Sequence, residues 1–153
     1  MRNKSWLSKE EYNDVFYVCS LIEYIARITK NKRGVIVKTW GLDGINKQLK
    51  DAGVNHCLTF EQVGTELIEL YHIQEGDFDP AANSPYTIPG YTDIGNLYAT
   101  MIEDSSSSYN AAQDIMDIFT SFISDLISNF KSDLYYQNPD YLECSYKAGY
   151  LLE

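Results

Sequence analysis

A Ser/Thr-x-x-Glu/Gln pattern set directly ahead of an apolar run occurs twice in this chain and restricts its fold more than any other feature. In Ser8-Lys9-Glu10-Glu11 and Thr59-Phe60-Glu61-Gln62 the leading hydroxyl can accept from the backbone N–H three residues on. The last side chain can reach back to the first N–H. Each pair satisfies donors that a helix start leaves unpaired, so each marks a helix N-terminus. Behind Ser8, the residues Val15, Phe16, Cys19, Ile22, Tyr24, Ile25 and Ile28 recur mostly at three- and four-residue steps. That spacing predicts an amphipathic helix from about Lys9 to Lys30. Behind Thr59, the residues Val63, Leu67, Leu70 and Tyr71 draw the same kind of stripe.

The rest of the chain reads as helices and breaks. Val35-Ile36-Val37 runs to Trp40; its β-branched residues would permit a strand, but a lone strand has nothing to pair with. A short helix ending at Gly41, followed by one that Asp43 caps and Gly53 closes, is the reading adopted. Thr92 or Asp93 is placed to cap a helix bearing Ile94, Leu97, Tyr98, Met101 and Ile102, with Ser105 to Ser108 as a polar linker behind it. Apolar residues from Ala111 to Phe130 then predict one central helix from about Ala111 to Ser132. The expected fold is all-α: a single-domain bundle of five or six helices with a long ordered loop and an irregular Tyr-rich C-terminal segment. The helices fall in 8–72 and 93–133, the loop in 73–92, and the tail in 134–153. A chain of 153 residues is long enough to bury such a core without staples.

In the loop, Gly76, Pro80, Pro85, Pro89 and Gly90 break any regular element, while Phe78, Tyr86, Ile88 and Tyr91 argue against a solvated linker. It also carries Glu75-Gly76-Asp77-Phe78-Asp79. Without the alternating oxygen ligands of an EF-hand this is read as a solvated acidic turn. The catalytic alternative is a small helical enzyme or toxin component, in which the loop lids a pocket with Asp77, Asp79, Tyr86 and Tyr91 near its rim.

Charge is unevenly spread along the chain. Residues 1–50 hold ten basic and five acidic residues, net +5; the remainder holds seventeen acidic and two basic residues, net −15. Arg27, Lys30, Lys32, Arg33 and Lys38 cluster around the first helix junction as a candidate basic patch. A nucleic-acid-binding regulator using this basic third is one reading. Phosphate binding is dominated by electrostatics, and an acidic remainder would repel the backbone unless it faced away, which disfavours it.

Tests for catalytic chemistry find no complete set. His56-Cys57 and His72 lack the paired spacing of a zinc site, and neighbouring side chains such as His56 and Cys57 are expected to point apart. No G-x-S-x-G and no phosphate-binding loop is present. No metal, cofactor or catalytic residue is therefore assigned. Three widely separated cysteines, no apolar stretch behind Met1 to Leu7 and no membrane-length run give the expectation of a cytoplasmic protein with reduced thiols and no membrane association.

Tyrosine is the compositional outlier, at 13 against 6 Phe and 2 Trp, and its amphipathic ring suits half-buried surfaces and interfaces. Tyr135, Tyr136, Tyr141, Tyr146 and Tyr150, followed by Leu151, form a candidate partner-binding segment. Such a tail can dock in a groove on a basic partner or fold back over its own helices, and the sequence leaves both open.

The segments Val18-Cys19-Ser20-Leu21-Ile22-Glu23-Tyr24-Ile25-Ala26 and Thr29-Lys30-Asn31-Lys32-Arg33, with Ile88-Pro89 and Asp93-Ile94-Gly95, carry a resemblance. Across roughly residues 10 to 103 the chain resembles uncharacterised small helical proteins of Firmicute bacteria, some encoded beside ADP-ribosyltransferase-like toxins. The matching motifs are structural, so no functional residue carries over. The resemblance implies an antitoxin or accessory role. Together these readings favour a non-enzymatic cytosolic protein-binding module, the antitoxin or regulatory partner of a basic protein.

Overall fold

The computed structural model describes residues 6–80, 84–85, 87–106, 109–128 and 139–152, with the side chain of Pro139 excepted. Every regular element among them is helical. They are α1 (Lys9–Thr29), α2 (Arg33–Asn55), α3 (Phe60–Leu70), α4 (Tyr91–Ser105), α5 (Ala111–Phe119), α6 (Phe122–Ile127) and α7 (Pro139–Ala148). The all-α expectation holds, with seven helices among the described residues against the five or six expected.

Both capping boxes form. Ser8 Oγ accepts from the Glu11 N–H and Glu11 Oε1 from the Ser8 N–H, each at 3.1 Å; Thr59 and Gln62 do the same at the start of α3. Most of the stripe read behind Ser8 is buried: Val15, Cys19, Ile22 and Ile25 are within 1% of full burial, Phe16 and Tyr24 are half-buried, and Ile28 is exposed. With this face α1 packs on α4 and α2, and it is the element around which the bundle is arranged. The crossing with α4 is close: a Cβ on Gly95 would lie 2.8 Å from the backbone N of Ser20. Only glycine lets the two helices approach this far.

Gly41 behaves as the sequence asked. Its φ of 70° and ψ of 175° interrupt α2 between two helical halves. At α4 the boundary moves. The helix begins at Tyr91 with Gly90 as its cap, and Asp93 is the third residue, its carboxylate accepting from the Gly90 N–H at 3.1 Å.

The single central helix does not form. Thr120 and Ser121 separate α5 from α6, their hydroxyls donating at 2.7 Å to the carbonyls of Met116 and Ile118. The Met116 carbonyl still accepts from the Thr120 N–H at 3.2 Å, the Ile118 carbonyl accepts from both the N–H and the hydroxyl of Ser121, and Ser121 adopts an extended conformation that starts α6. Apolar periodicity persists through the break because both short helices face the same core.

The C-terminal segment is not irregular over its described part. It forms α7, which packs on α4 and α6 with Leu142 fully buried. Gly149 follows at φ 87°, and the chain folds back, with Tyr141 Oη donating to the Leu152 carbonyl at 2.7 Å and the Leu152 N–H donating to Ser145 Oγ at 3.2 Å.

Candidate functional site

Two members of the basic cluster, Arg27 and Arg33, are drawn into the fold, while Lys30, Lys32 and Lys38 stay exposed. Arg33, first residue of α2, is 3% exposed and cannot belong to a surface patch. Its guanidinium meets Glu23 of α1, with Nη2 2.5 Å and Nε 2.7 Å from Oε2. Nη1 donates to Tyr98 Oη and the Ser124 carbonyl at 3.0 Å and to Ser128 Oγ at 2.5 Å, so α1, α2, α4 and α6 are tied together. Burial alone would lower the guanidinium pKa; the charge of Glu23 and its contacts with Glu23 and Tyr98 more than offset that and raise it. The Tyr98 phenol is pushed up to about 12 by burial.

Arg27 also reaches Glu23, Nε to Oε1 at 3.3 Å; Lys30 lies 3.9 Å from Glu75, and Lys32 lies 3.7 Å from Asp125. Lys38 is exposed. One signal for this arrangement is in the sequence. Glu23 falls four residues after Cys19 and three before Ala26, on the buried stripe, where a carboxylate requires a buried cation.

The loop is ordered over its described first half and crosses the end of α1. The N–H groups of Gly76 and Phe78 donate to the carbonyls of Thr29 and Lys30 at 2.8 and 2.9 Å, and Asn31 Nδ2 donates to the Gln74 carbonyl at 2.8 Å. Asp77 and Asp79 are exposed. Tyr91 belongs to an aromatic cluster, its ring centroid 5.2 Å from those of both Tyr24 and Phe60. Tyr86 lies outside the described residues.

In the tail, Tyr141 and Tyr146 are half-buried against the bundle core, while Tyr150 and Leu151 are exposed. Tyr135 and Tyr136 lie outside the described residues. The docking surface of α7 holds an acid pair absent from the sequence reading. Glu143, 6% exposed, faces Asp104 of α4, and its pKa rises to about 8 through burial, hydrogen bonding to Asp104, and the charges of Asp104 and Asp140. Lys147 opposes that shift. Burial and the charges of Asp117 and Asp114 push Tyr146 up to about 12.

The concavity that sequence reasoning missed lies at the other end of α1. Glu10, Asn13, Asp14, Tyr17 and Ser20 recur at three- and four-residue steps along one face of that helix and, with Phe16, form one wall. Lys50, Ala52, Gly53 and His56 from the end of α2 form the opposite wall, and Phe60 and Thr92 complete the lining. The volume of about 530 Å³ falls in the range of small-ligand and side-chain sites.

Aromatic rings provide much of its apolar surface, with Tyr17 and Phe60 stacked at 5.5 Å. Tyr17 Oη donates to the Asn55 carbonyl at 3.3 Å. His56 Nδ1 lies 3.1 Å from the Ala52 carbonyl, a contact that only an N–H can make favourably. In the neutral ring this leaves Nε2 as an acceptor. Cys57 Sγ lies 3.8 Å from it, so the two neighbours do not point apart. Exposed Val54 and Leu58 lie beside the groove-lining residues in the chain. Asp14 has its pKa raised by burial and by Glu10 and Glu11, with His56 acting the other way. No ion pair to Glu10 or Asp14 is found among the described residues.

Among the described residues no three His, Cys, Asp or Glu side chains gather as a metal site, and no helix is long and apolar enough to cross a membrane. Comparison with protein-family models, with curated proteins and with solved structures gives no match.

Proposed function

We propose that this chain is a non-enzymatic cytosolic protein-binding module whose partner is a basic protein. The observation that carries this reading is where charge is left unpaired. Arg27, Lys30, Lys32 and Arg33 each have a carboxylate of this chain within 4 Å, while Glu10 and Asp14 border an aromatic-lined groove with no ion pair among the described residues. Net charge is −10. Burial of Arg33 and the pairing of Arg27 with Glu23 weaken the basic footprint a nucleic acid would use, and the acidic excess steers a cationic partner towards the molecule. The resemblance to proteins encoded beside toxins adds the specific role of antitoxin or regulatory subunit.

Affinity capture with the immobilised full chain, from the cells that produce it and at low and high salt, tests this. A single basic protein retained at low salt and released as salt rises is the expected result. Capture of nucleic acid alone, of an acidic protein, or of no protein contradicts it.

A further inference from the structure

We infer that the groove between α1, the end of α2 and the start of α3 receives one arginine side chain of the basic partner, an inference that rests on the reading above. The groove combines two features that seldom serve the same ligand: ring faces for a flat apolar surface and a carboxylate for a cation. A guanidinium answers both, because it is planar, weakly hydrated, stacks on aromatic faces and can bond a carboxylate with two parallel N–H groups.

The lining offers these partners in one place. Phe16 and Tyr17 supply the rings and Asp14 the carboxylate, while Phe60, stacked with both Tyr17 and Tyr24, backs the wall. Glu10 and Glu11 also complement the positive end of the α1 dipole, and Glu11 is used in the capping box. Asp14 lies a turn further along, half-buried on the groove wall, where neither explanation reaches it. Exposed Lys50 on the opposite wall adds a like charge, so the fit is to a single cationic side chain and not to a polybasic stretch.

The test is an NMR titration of the isotope-labelled full chain with N-acetyl-arginine amide, and with N-acetyl-citrulline amide as its uncharged isostere. Saturable shifts at the amides of Tyr17, Gly53 and His56 are expected with the arginine probe. The citrulline probe should bind at least about tenfold more weakly, and Asp14→Asn should weaken arginine binding about tenfold, the loss of one charge-assisted hydrogen bond. Circular dichroism of Asp14→Asn establishes that the variant is folded. No saturable shift with the arginine probe, shifts centred elsewhere, equal binding of the two probes, or an unaffected Asp14→Asn variant each overturns the inference. Capture separates the two proposals. Equal retention of a basic partner by wild type and Asp14→Asn removes the groove but keeps the partner, whereas a wild-type chain that retains no basic protein removes the partner reading itself.

Discussion

The two ends of α1 carry opposite charge and treat it in opposite ways. At the C-terminal end Arg27 and the neighbouring Arg33 converge on Glu23, and Lys30 and Lys32 each have a carboxylate within 4 Å. At the N-terminal end Glu10 and Asp14 edge a groove with no ion pair among the described residues. At the first end the fold uses Arg27 and Arg33 to hold helices together and leaves the Lys30 and Lys32 pairs on the surface. A charged cluster is informative about partners only after internal pairing has been subtracted. Among the described residues Lys38 remains on the basic side, while Glu10 and Asp14 edge the groove.

The largest expected effect comes from breaking the closed end. Arg33→Ala leaves Glu23 buried beside Arg27 alone and removes the donor to Tyr98, and should cost about 3–5 kcal/mol in urea unfolding. Were Arg33 a surface residue, the change would stay within about 0.5 kcal/mol. Between the two ends, Gly95→Ala forces a methyl group against the backbone of Ser20 and should cost about 1–3 kcal/mol by the same measurement.

A third carboxylate sharpens the contrast. Glu143 is about as buried as Glu23, but it faces Asp104 where Glu23 faces arginine. Its folded pKa lies above its unfolded value, so the folded state binds the extra proton and stability is lost as that proton leaves. The denaturation midpoint should therefore fall as pH rises from about 4.5 to about 8 and then level off with respect to this group. Glu143→Gln should flatten that slope, and an unchanged slope would show that the carboxyl pair does not govern the docking of α7. The smallest effect on stability belongs to the open end. Asp14→Asn removes a carboxylate whose ionised form burial already disfavours, and should leave unfolding unchanged within about 0.5 kcal/mol.

Much of the fold was legible because local chemistry decided it. Ser8 with Glu11 and Thr59 with Gln62 fix their helix starts by bonds within four residues, and Gly41 divides α2 by its own backbone. Where two local signals competed, the weaker pattern misled: the apolar period from Ala111 to Phe130 concealed the break at Thr120 and Ser121, where the backbone of Ser121 turns extended. The tail was open in sequence because its tyrosines suit either an interface or a core edge, and burial of Leu142 shows that its described helix packs on the bundle. The groove was not legible. Its walls unite residues about 40 positions apart, Asp14 from α1 and His56 from the end of α2, and no periodicity within either helix marks a space between them.

The central claim is that the acidic end of α1, where Glu10 and Asp14 have no ion pair among the described residues, is where this protein meets a basic partner. Side-by-side capture with wild-type and Asp14→Asn chains at low salt tests it most directly. The account predicts a basic protein held by the wild type, with about tenfold weaker retention by the variant, the worth of one charge-assisted contact. Equal retention by the two chains would contradict it.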